Sequence, residues 1–276
     1  MINDFSEKAV VVTGGTKGFG LAIGKAFAKQ GAQVYLTHRW GSADENALLQ
    51  EFADAGAVAP IILEADASNQ GDTEALLNEI KQRFDHIEVF VSNVAVAYVN
   101  KEGLDGLVKR HFFRSLANST WPLMGYVQEI KKVFGHYPRY TLGTSSDGVD
   151  TFYPGYEYVA SCKTIMETFA KYMGKHLWEE EGCRVNILRS RPMVTESLEA
   201  TFGKDFEPFM RKWHGDNFFV SPEAVGDTAL ALCSGLMDAI NGQIIELDPG
   251  VAFSDNVMRL FAEREELGLA LDSNPE

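Results

Sequence analysis

The sequence has little cysteine, no basic run and no long apolar stretch. Its three cysteines, Cys162, Cys183 and Cys233, lie far apart without metal-ligand spacing. Such usage fits a reducing cytosol better than a disulfide framework. The histidines show no metal spacing either, so no metal site is expected. Net charge is −14, with no cluster of Lys and Arg, which argues against nucleic acid because phosphate binding needs such a cluster. No apolar run approaches the roughly 20 residues that span a bilayer, and the opening MINDFSEKAVVVTGG carries no basic-then-apolar signal. Linkers, low-complexity tracts and repeats are missing too. The expectation is a cytoplasmic protein without membrane association, one domain over 1–276, with only the tail after Asp272 loose.

What the chain does contain is alternation. Hydrophobic residues make up 45% of its 276 residues, enough for one large α/β core. Strand-like runs occur at AVVVT (Ala9–Thr13), QVYLT (Gln33–Thr37), PIILEAD (Pro60–Asp66), IEVFVSN (Ile87–Asn93), RYTLGTSS (Arg139–Ser146), RVNILRS (Arg184–Ser190) and QIIELDP (Gln243–Pro249). Helical stretches separate them: LAIGKAFAKQG, a second helix with Ser42 as N-cap, a third over Asp72–Phe84, a long region ending near Phe134, a helix carrying Lys163, and SPEAVGDTALALCSG. Strands alternating with helices predict βαβ crossovers. The fold class is α/β: a Rossmann-type, doubly wound parallel sheet of about seven strands with helices on both faces.

The first strand runs into TGGTKGFG, which sets Gly14, Gly18 and Gly20 in Gly-x-x-x-Gly-x-Gly spacing. A strand–turn–helix with glycines at the turn lets backbone approach a pyrophosphate, which the N–H groups of the helix start then hold. The competing reading is a tight turn without ligand. An acid at the end of the second strand would suit the ribose 2′-hydroxyl of NAD. That place holds Thr37, His38 and Arg39, and Lys17 lies in the glycine loop. Two cations there suit a 2′-phosphate, hence NADPH, unless both are ordinary surface charges. Asp66, ending the third strand, is open between an acceptor for the adenine amino group and a loop aspartate.

These features together resemble the short-chain dehydrogenase/reductase family over nearly the whole chain. The residues that carry the resemblance are TGGTKGFG, Asp66, VSNVA after the fourth strand, TSSDG after the fifth, the Tyr–Lys helix, RVNILRSRPMVT and GQIIELDPG. Two places depart from the family. Its usual Asn-Asn-Ala-Gly is Ser92-Asn93-Val94-Ala95, and its Tyr-x-x-x-Lys is absent. One branch, the enoyl-acyl-carrier-protein reductases, uses Tyr-x6-Lys, the spacing of Tyr156 and Lys163 in YEYVASCK. Arg184, Val185, Asn186, Pro192 and Thr195 also resemble that branch's Arg-Val-Asn…Pro-x-x-Thr pattern. The glycine loop is of the general family type, so the chain looks closest to the enoyl reductases that keep this loop and use NADPH.

The resemblance implies a tyrosine that steadies an enolate oxygen and a lysine that holds the nicotinamide ribose. It places cofactor contacts at Gly14, Lys17, Gly18, Phe19, Gly20, His38, Arg39, Asp66, Ala67, Asn93, Lys163, Pro192 and Thr195. It further implies a carrier- or CoA-bound acyl substrate from fatty-acid or polyketide-type biosynthesis, and a homotetramer built on the helices flanking the fifth strand.

Helical geometry separates the two tyrosines. Residues seven apart nearly share a direction, whereas residues five apart differ by about 140°. Pro154 and Gly155 start the helix, so Tyr156 stands at its first turn while Lys163 points to the cofactor. Against this stands a carbonyl-reductase reading, in which YVASCK is Tyr-x-x-Ser-Lys with one insertion. A bulge would bring Tyr158 to Lys163, and Ser145, thirteen before Tyr158, would bind the ketone. The catalytic candidates are therefore Tyr156, Lys163, Tyr158 and Ser145; Ser145 is equally a strand-end cap, and either tyrosine equally a packing residue. Asn118 is expected to have no required role. The aromatic segment 195–219 suits a substrate-covering insertion, against two ordinary surface helices. A non-catalytic dinucleotide-binding protein is the remaining alternative, since fold alone does not fix function.

Overall fold

The structure, a computed structural model, describes residues 3–41, 43–96, 98–253 and 256–268. Seven parallel strands form one sheet in the order β3-β2-β1-β4-β5-β6-β7. These are β1 (Ala9–Val12), β2 (Gln33–His38), β3 (Ile61–Glu64), β4 (Ile87–Ser92), β5 (Tyr140–Ser146), β6 (Arg184–Ser190) and β7 (Ile244–Leu247). The sequence-based expectation of a doubly wound α/β sheet agrees with this. The strand order reverses direction between β1 and β4, and in such sheets the crevice at the carboxyl ends beside that switch point is where ligands bind.

Side-chain alternation explains the layers. Along β1, Val10 and Val12 pack with Ile23 and Phe27 of α1 (Gly18–Lys29) and with Val225 and Ala229 of α9 (Pro222–Leu232). Ala9 and Val11 face the other way, toward Leu77 of α3 (Gln70–Lys81), Ile130 of α5 (Trp121–Phe134) and Met166 of α6 (Glu157–Glu181). A strand buried on both faces must be apolar throughout, which is why β1 reads AVVV. Each such side chain contributes about 1.5–3 kcal/mol on burial.

Local chemistry sets the helix ends. Ser42, the expected N-cap of α2 (Glu45–Asp54), lies outside the described residues. Asp44 caps that helix instead, its carboxylate accepting from Ala47 N. Helix α3 starts two residues earlier than expected because Asn69 accepts from Gly71 N and Asp72 N. The long region before Phe134 is two helices, α4 (Lys109–Ser119) and α5, parted at Thr120. Pro122 lacks the N–H that a continuous helix needs there, and the Thr120 hydroxyl donates to Cys162 O at 2.8 Å. After β6 come α7 (Glu196–Phe202) and α8 (Phe206–His214), then α9 and, after β7, α10 (Asn256–Ala262). The tail after Asp272 lies outside the described residues. Among those described, no helix is long and apolar enough to cross a membrane.

Candidate active site

The glycine loop is held open as a cradle. Gly14 and Gly18 take φ of 60° and 56°, the left-handed region that side chains other than glycine's resist. A Cβ on Gly20 would stand 2.6 Å from both Gly14 O and Asn93 Nδ2. Asn93 ties the loop to the switch point: Nδ2 donates to Gly14 O at 2.9 Å, and its backbone N donates to Thr13 Oγ1 at 3.0 Å. Thr144 Oγ1 donates to Asn93 Oδ1 at 3.3 Å. Helix α1 has no side-chain cap, so its first N–H groups remain available to an anion. A dinucleotide pyrophosphate fits this loop. The Phe19 ring packs against the core.

The residues expected to choose the dinucleotide are only partly gathered. Thr37 Oγ1 accepts from Gly14 N at 3.2 Å and so supports the loop. The His38 imidazole is buried, with Nε2 4.0 Å from Glu45 Oε1, and it is not an exposed cation at the strand end. Lys17 reaches Glu196 at 2.7 Å, both groups well exposed. Arg39 is the cation that enters the crevice. Its Nε lies 3.1 Å from Asp66 Oδ2, its Nη1 donates to Asn118 Oδ1 at 3.1 Å, and its guanidinium lies 3.8 Å over the Trp40 ring. Asp66 also accepts from the Ser68 N and hydroxyl at 2.9 and 2.8 Å. Ala67 is buried beside it. Asn118 thus holds Arg39, a role the sequence does not announce.

Helix α6 is regular from its first turn. Gly155 takes φ 80°, and a Cβ there would collide with Asn100 O. Tyr156 is the N-cap. Lys163 is buried in the sheet-facing side of α6 and donates to Thr144 O at 2.6 Å. Burial lowers its pKa to about 8, against the charges of Cys162 and Glu167. The Tyr156 hydroxyl donates to Ser146 Oγ at 3.4 Å, and burial holds its phenol above the ordinary tyrosine value.

Two catalytic candidates point elsewhere. No bulge brings Tyr158 to Lys163, because α6 runs unbroken over Glu157–Glu181. Tyr158 is buried against α4: its hydroxyl accepts from Val108 N and donates to Val108 O at 3.3 Å. Its ring lies 6.5 Å from that of Tyr98 and 6.1 Å from that of His111. Its hydroxyl and ring are engaged by α4 and Tyr98. Ser145 donates to Glu167 Oε1 at 2.6 Å, and Glu167 is clamped by Arg189 at 2.9 and 2.5 Å. Strand alternation explains this placement: Ser145 faces opposite to Thr144 and Ser146.

Sequence reasoning missed Ser146, Asp147, Tyr153 and Arg191. Ser146 was recoverable, because it shares a strand face with Thr144, whose carbonyl receives Lys163. Ser146 also donates to Asp147 Oδ1 at 3.3 Å. Asp147 Oδ2 accepts from Tyr153 at 2.7 Å and from Arg191 Nη1 at 3.0 Å. No linear motif marks that cluster. Above the two tyrosines lies segment 195–219. Phe202 lies 5.7 Å from the Tyr153 ring and 6.2 Å from the Tyr156 ring, and Phe206 stacks on Phe202 at 4.6 Å. Thr195 caps α7, accepting from Leu198 N; its methyl is the nearest atom, at 3.4 Å, to a Cβ built on Gly18. Pro192 O accepts from Val220 N at 3.0 Å, which pins the exit from β6. Among the described residues no group of three or more His, Cys, Asp or Glu is placed to hold a metal ion.

Known proteins match this arrangement. The profile of the enoyl-(acyl carrier protein) reductase family covers residues 14–252. An NADH-dependent enoyl-acyl-carrier-protein reductase of Aquifex aeolicus is 24% identical over 269 residues, covering 94% of this chain and 95% of that protein. A 1-cyclohexenylcarbonyl-CoA reductase of Streptomyces collinus is 24% identical over 201 residues, covering 73% and 70%. Among solved structures, the Aquifex aeolicus VF5 enoyl reductase superposes with a TM-score of 0.73 at 19% identity, over 92% of this chain and all (100%) of that one. The actinorhodin polyketide ketoreductase with NADPH gives 0.78 at 19% identity, with coverage of 92% and 100%. Both show the same fold. With its glycine cradle, its Tyr–Lys helix and a family match over most of its length, the chain belongs to the enoyl-(acyl carrier protein) reductases of the short-chain dehydrogenase/reductase family.

Proposed function

We propose that the protein reduces an enoyl thioester, carried on an acyl carrier protein or CoA, with NADPH. The observation that carries this reading is the placement of Tyr156: it is the hydroxyl at the start of α6, seven before the buried Lys163, while Tyr158 is turned into α4. Gly14, Gly18, Gly20, Asn93, Lys163 and the Pro192–Thr195 turn would hold the cofactor. Bound NADPH supplies a hydride for the β-carbon. Charge then develops on the thioester oxygen, where the Tyr156 hydroxyl donates a hydrogen bond that is stronger in the transition state than in the substrate. Burial holds that phenol in its protonated form before hydride transfer. Phe202 and Phe206 cover the site and exclude water. Exposed aromatic side chains on α4, α5 and α6 (Phe113, Trp121, Phe169 and Tyr172) support the homotetramer.

NADPH is favoured because β2 ends in Thr37-His38-Arg39 without an acid, and Arg39 already reaches into the crevice. A 2′-phosphate would compete with Asp66 for the guanidinium. Arg39→Asp should therefore weaken NADPH binding far more than NADH binding, a charge-assisted hydrogen bond being worth about 1.5–3 kcal/mol. Equal losses for the two cofactors, measured by titration, would contradict the preference. Lys163 adds a pH dependence. Its folded pKa of about 8 means that charge is lost as pH rises through that value. NADPH affinity should fall across the same window in the wild type and stay flat in Lys163→Met.

One observation favours carbonyl reduction as a second reading. The Ser146 and Tyr156 hydroxyls lie 3.4 Å apart and form a pair able to hold a ketone oxygen. NADPH consumption with an enoyl thioester beside a β-keto thioester of the same chain length separates the two. Faster enoyl turnover is expected, and turnover of the β-keto thioester alone would replace this reading with the second.

A further inference from the structure

We propose that Asp147 and Ser146 form a relay that returns a proton from solvent to Tyr156 after each turnover. This rests on the reading of Tyr156 as the hydroxyl donor. Hydride transfer to a conjugated thioester leaves an enolate, so the saturated product needs one proton from water for every hydride. A tyrosine that gives up its proton must recover one before the next cycle, and burial of the Tyr156 phenol makes a standing phenolate unfavourable.

The hydrogen bonds run in series. The Tyr156 hydroxyl donates to Ser146 Oγ at 3.4 Å, and Ser146 donates to Asp147 Oδ1 at 3.3 Å. Gly148 N donates to Ser146 Oγ at 3.1 Å and fixes the oxygen between its two partners. Asp147 then lines a small cavity with Asp150, Arg191, Glu246 and Asp248. Asp150 and Glu246 are 69% and 55% exposed, so the cavity mouth meets solvent. Asp147 therefore stands between bulk water and the hydroxyl pair.

The Tyr156 O–H bond breaks as its proton passes to the enolate oxygen, forming the O–H of an enol that tautomerises to the saturated thioester. The phenolate takes the Ser146 proton, Ser146 takes one from the Asp147 carboxyl, and Asp147 takes one from solvent water at the cavity, the resulting hydroxide leaving through the exposed mouth. No electrons move in these steps. Groups around Asp147 oppose one another. Arg191 and the Tyr153 hydroxyl favour its ionised form, Asp248 takes up part of the Arg191 charge at 3.4 Å, and Arg189 engages Asp150 and Glu246 at the mouth. Burial outweighs them and raises the Asp147 carboxyl above its ordinary value, which brings its protonated form within reach.

Two readouts test the relay. The first needs neither cofactor nor substrate: hydrogen–deuterium exchange of the Tyr156 hydroxyl, read from the isotope shift on its ring carbon in tyrosine-labelled protein. Exchange should slow in Ser146→Ala and Asp147→Asn and recover in Ser146→Thr, which restores the hydroxyl. The second is the ratio of the first-turnover rate to the steady-state rate with NADPH and an enoyl thioester. The first turnover uses the proton already on Tyr156, so the ratio should rise in Ser146→Ala on the order of 10²-fold, the scale of a positioned proton-transfer group. Unchanged exchange together with an unchanged ratio would overturn the relay, as would equal slowing of first and later turnovers. Absence of enoyl turnover in the wild type would instead sink the enoyl reading, and hydroxyl exchange would still decide the relay.

Discussion

Tyr156→Phe should lower enoyl-thioester turnover by roughly 10²–10³, the usual loss when one oxyanion donor is removed, while NADPH affinity stays close to wild type. The hydroxyl is the only part removed, and the ring contacts to Tyr153 and Phe202 survive. Tyr158→Phe should leave turnover nearly intact. Its hydroxyl bonds the Val108 backbone, so the loss falls on stability, about 0.5–1.5 kcal/mol for one hydrogen bond. Rates of the two variants, measured side by side with cofactor affinity, separate the tyrosines. A catalytic collapse in Tyr158→Phe with an active Tyr156→Phe would reverse the assignment.

Arg189→Met should destabilise the fold by about 3–5 kcal/mol, the range for breaking a buried ion pair from one side. Glu167 is buried on α6, and the substitution leaves it with Ser145 as its remaining hydrogen-bond partner. Arg189 also ties β6 to Asp150 and Glu246. The double variant Glu167→Leu with Arg189→Met should regain most of the loss, because replacing both charges with apolar groups removes the desolvation penalty. Denaturant unfolding checks both. A single variant as stable as the wild type would show that the pair carries no net burden in the fold.

The fold was legible because the strands are marked twice, by β-branched runs and by the helices between them. Central strands such as AVVV and IEVFVS are buried on both faces, and largely apolar, because helices cover both sides of the sheet. The position of Tyr156 at the start of α6, seven before Lys163, was legible through the Tyr-x6-Lys resemblance, and the Pro154–Gly155 break marked where the helix begins. Less of the site's periphery could be read. Ser145 and Ser146 are adjacent and chemically identical, and only strand parity decides that Ser145 meets Glu167 while Ser146 meets Tyr156. His38 and Arg39 are neighbours in sequence, yet the first is buried beside Glu45 and the second crosses to Asn118. The Asp147–Tyr153–Arg191 cluster joins residues 44 positions apart. Such groupings depend on how β5 and β6 sit side by side, which no local pattern encodes.

The carbon that receives the hydride separates enoyl from carbonyl reduction. NADPH deuterated at the transferring position of the nicotinamide should be incubated with a chain-matched mixture of enoyl and β-keto thioesters, and the products examined by mass spectrometry and NMR. Deuterium on the β-carbon of a saturated thioester is the expected result. Deuterium only on the carbinol carbon of a β-hydroxy thioester would contradict it.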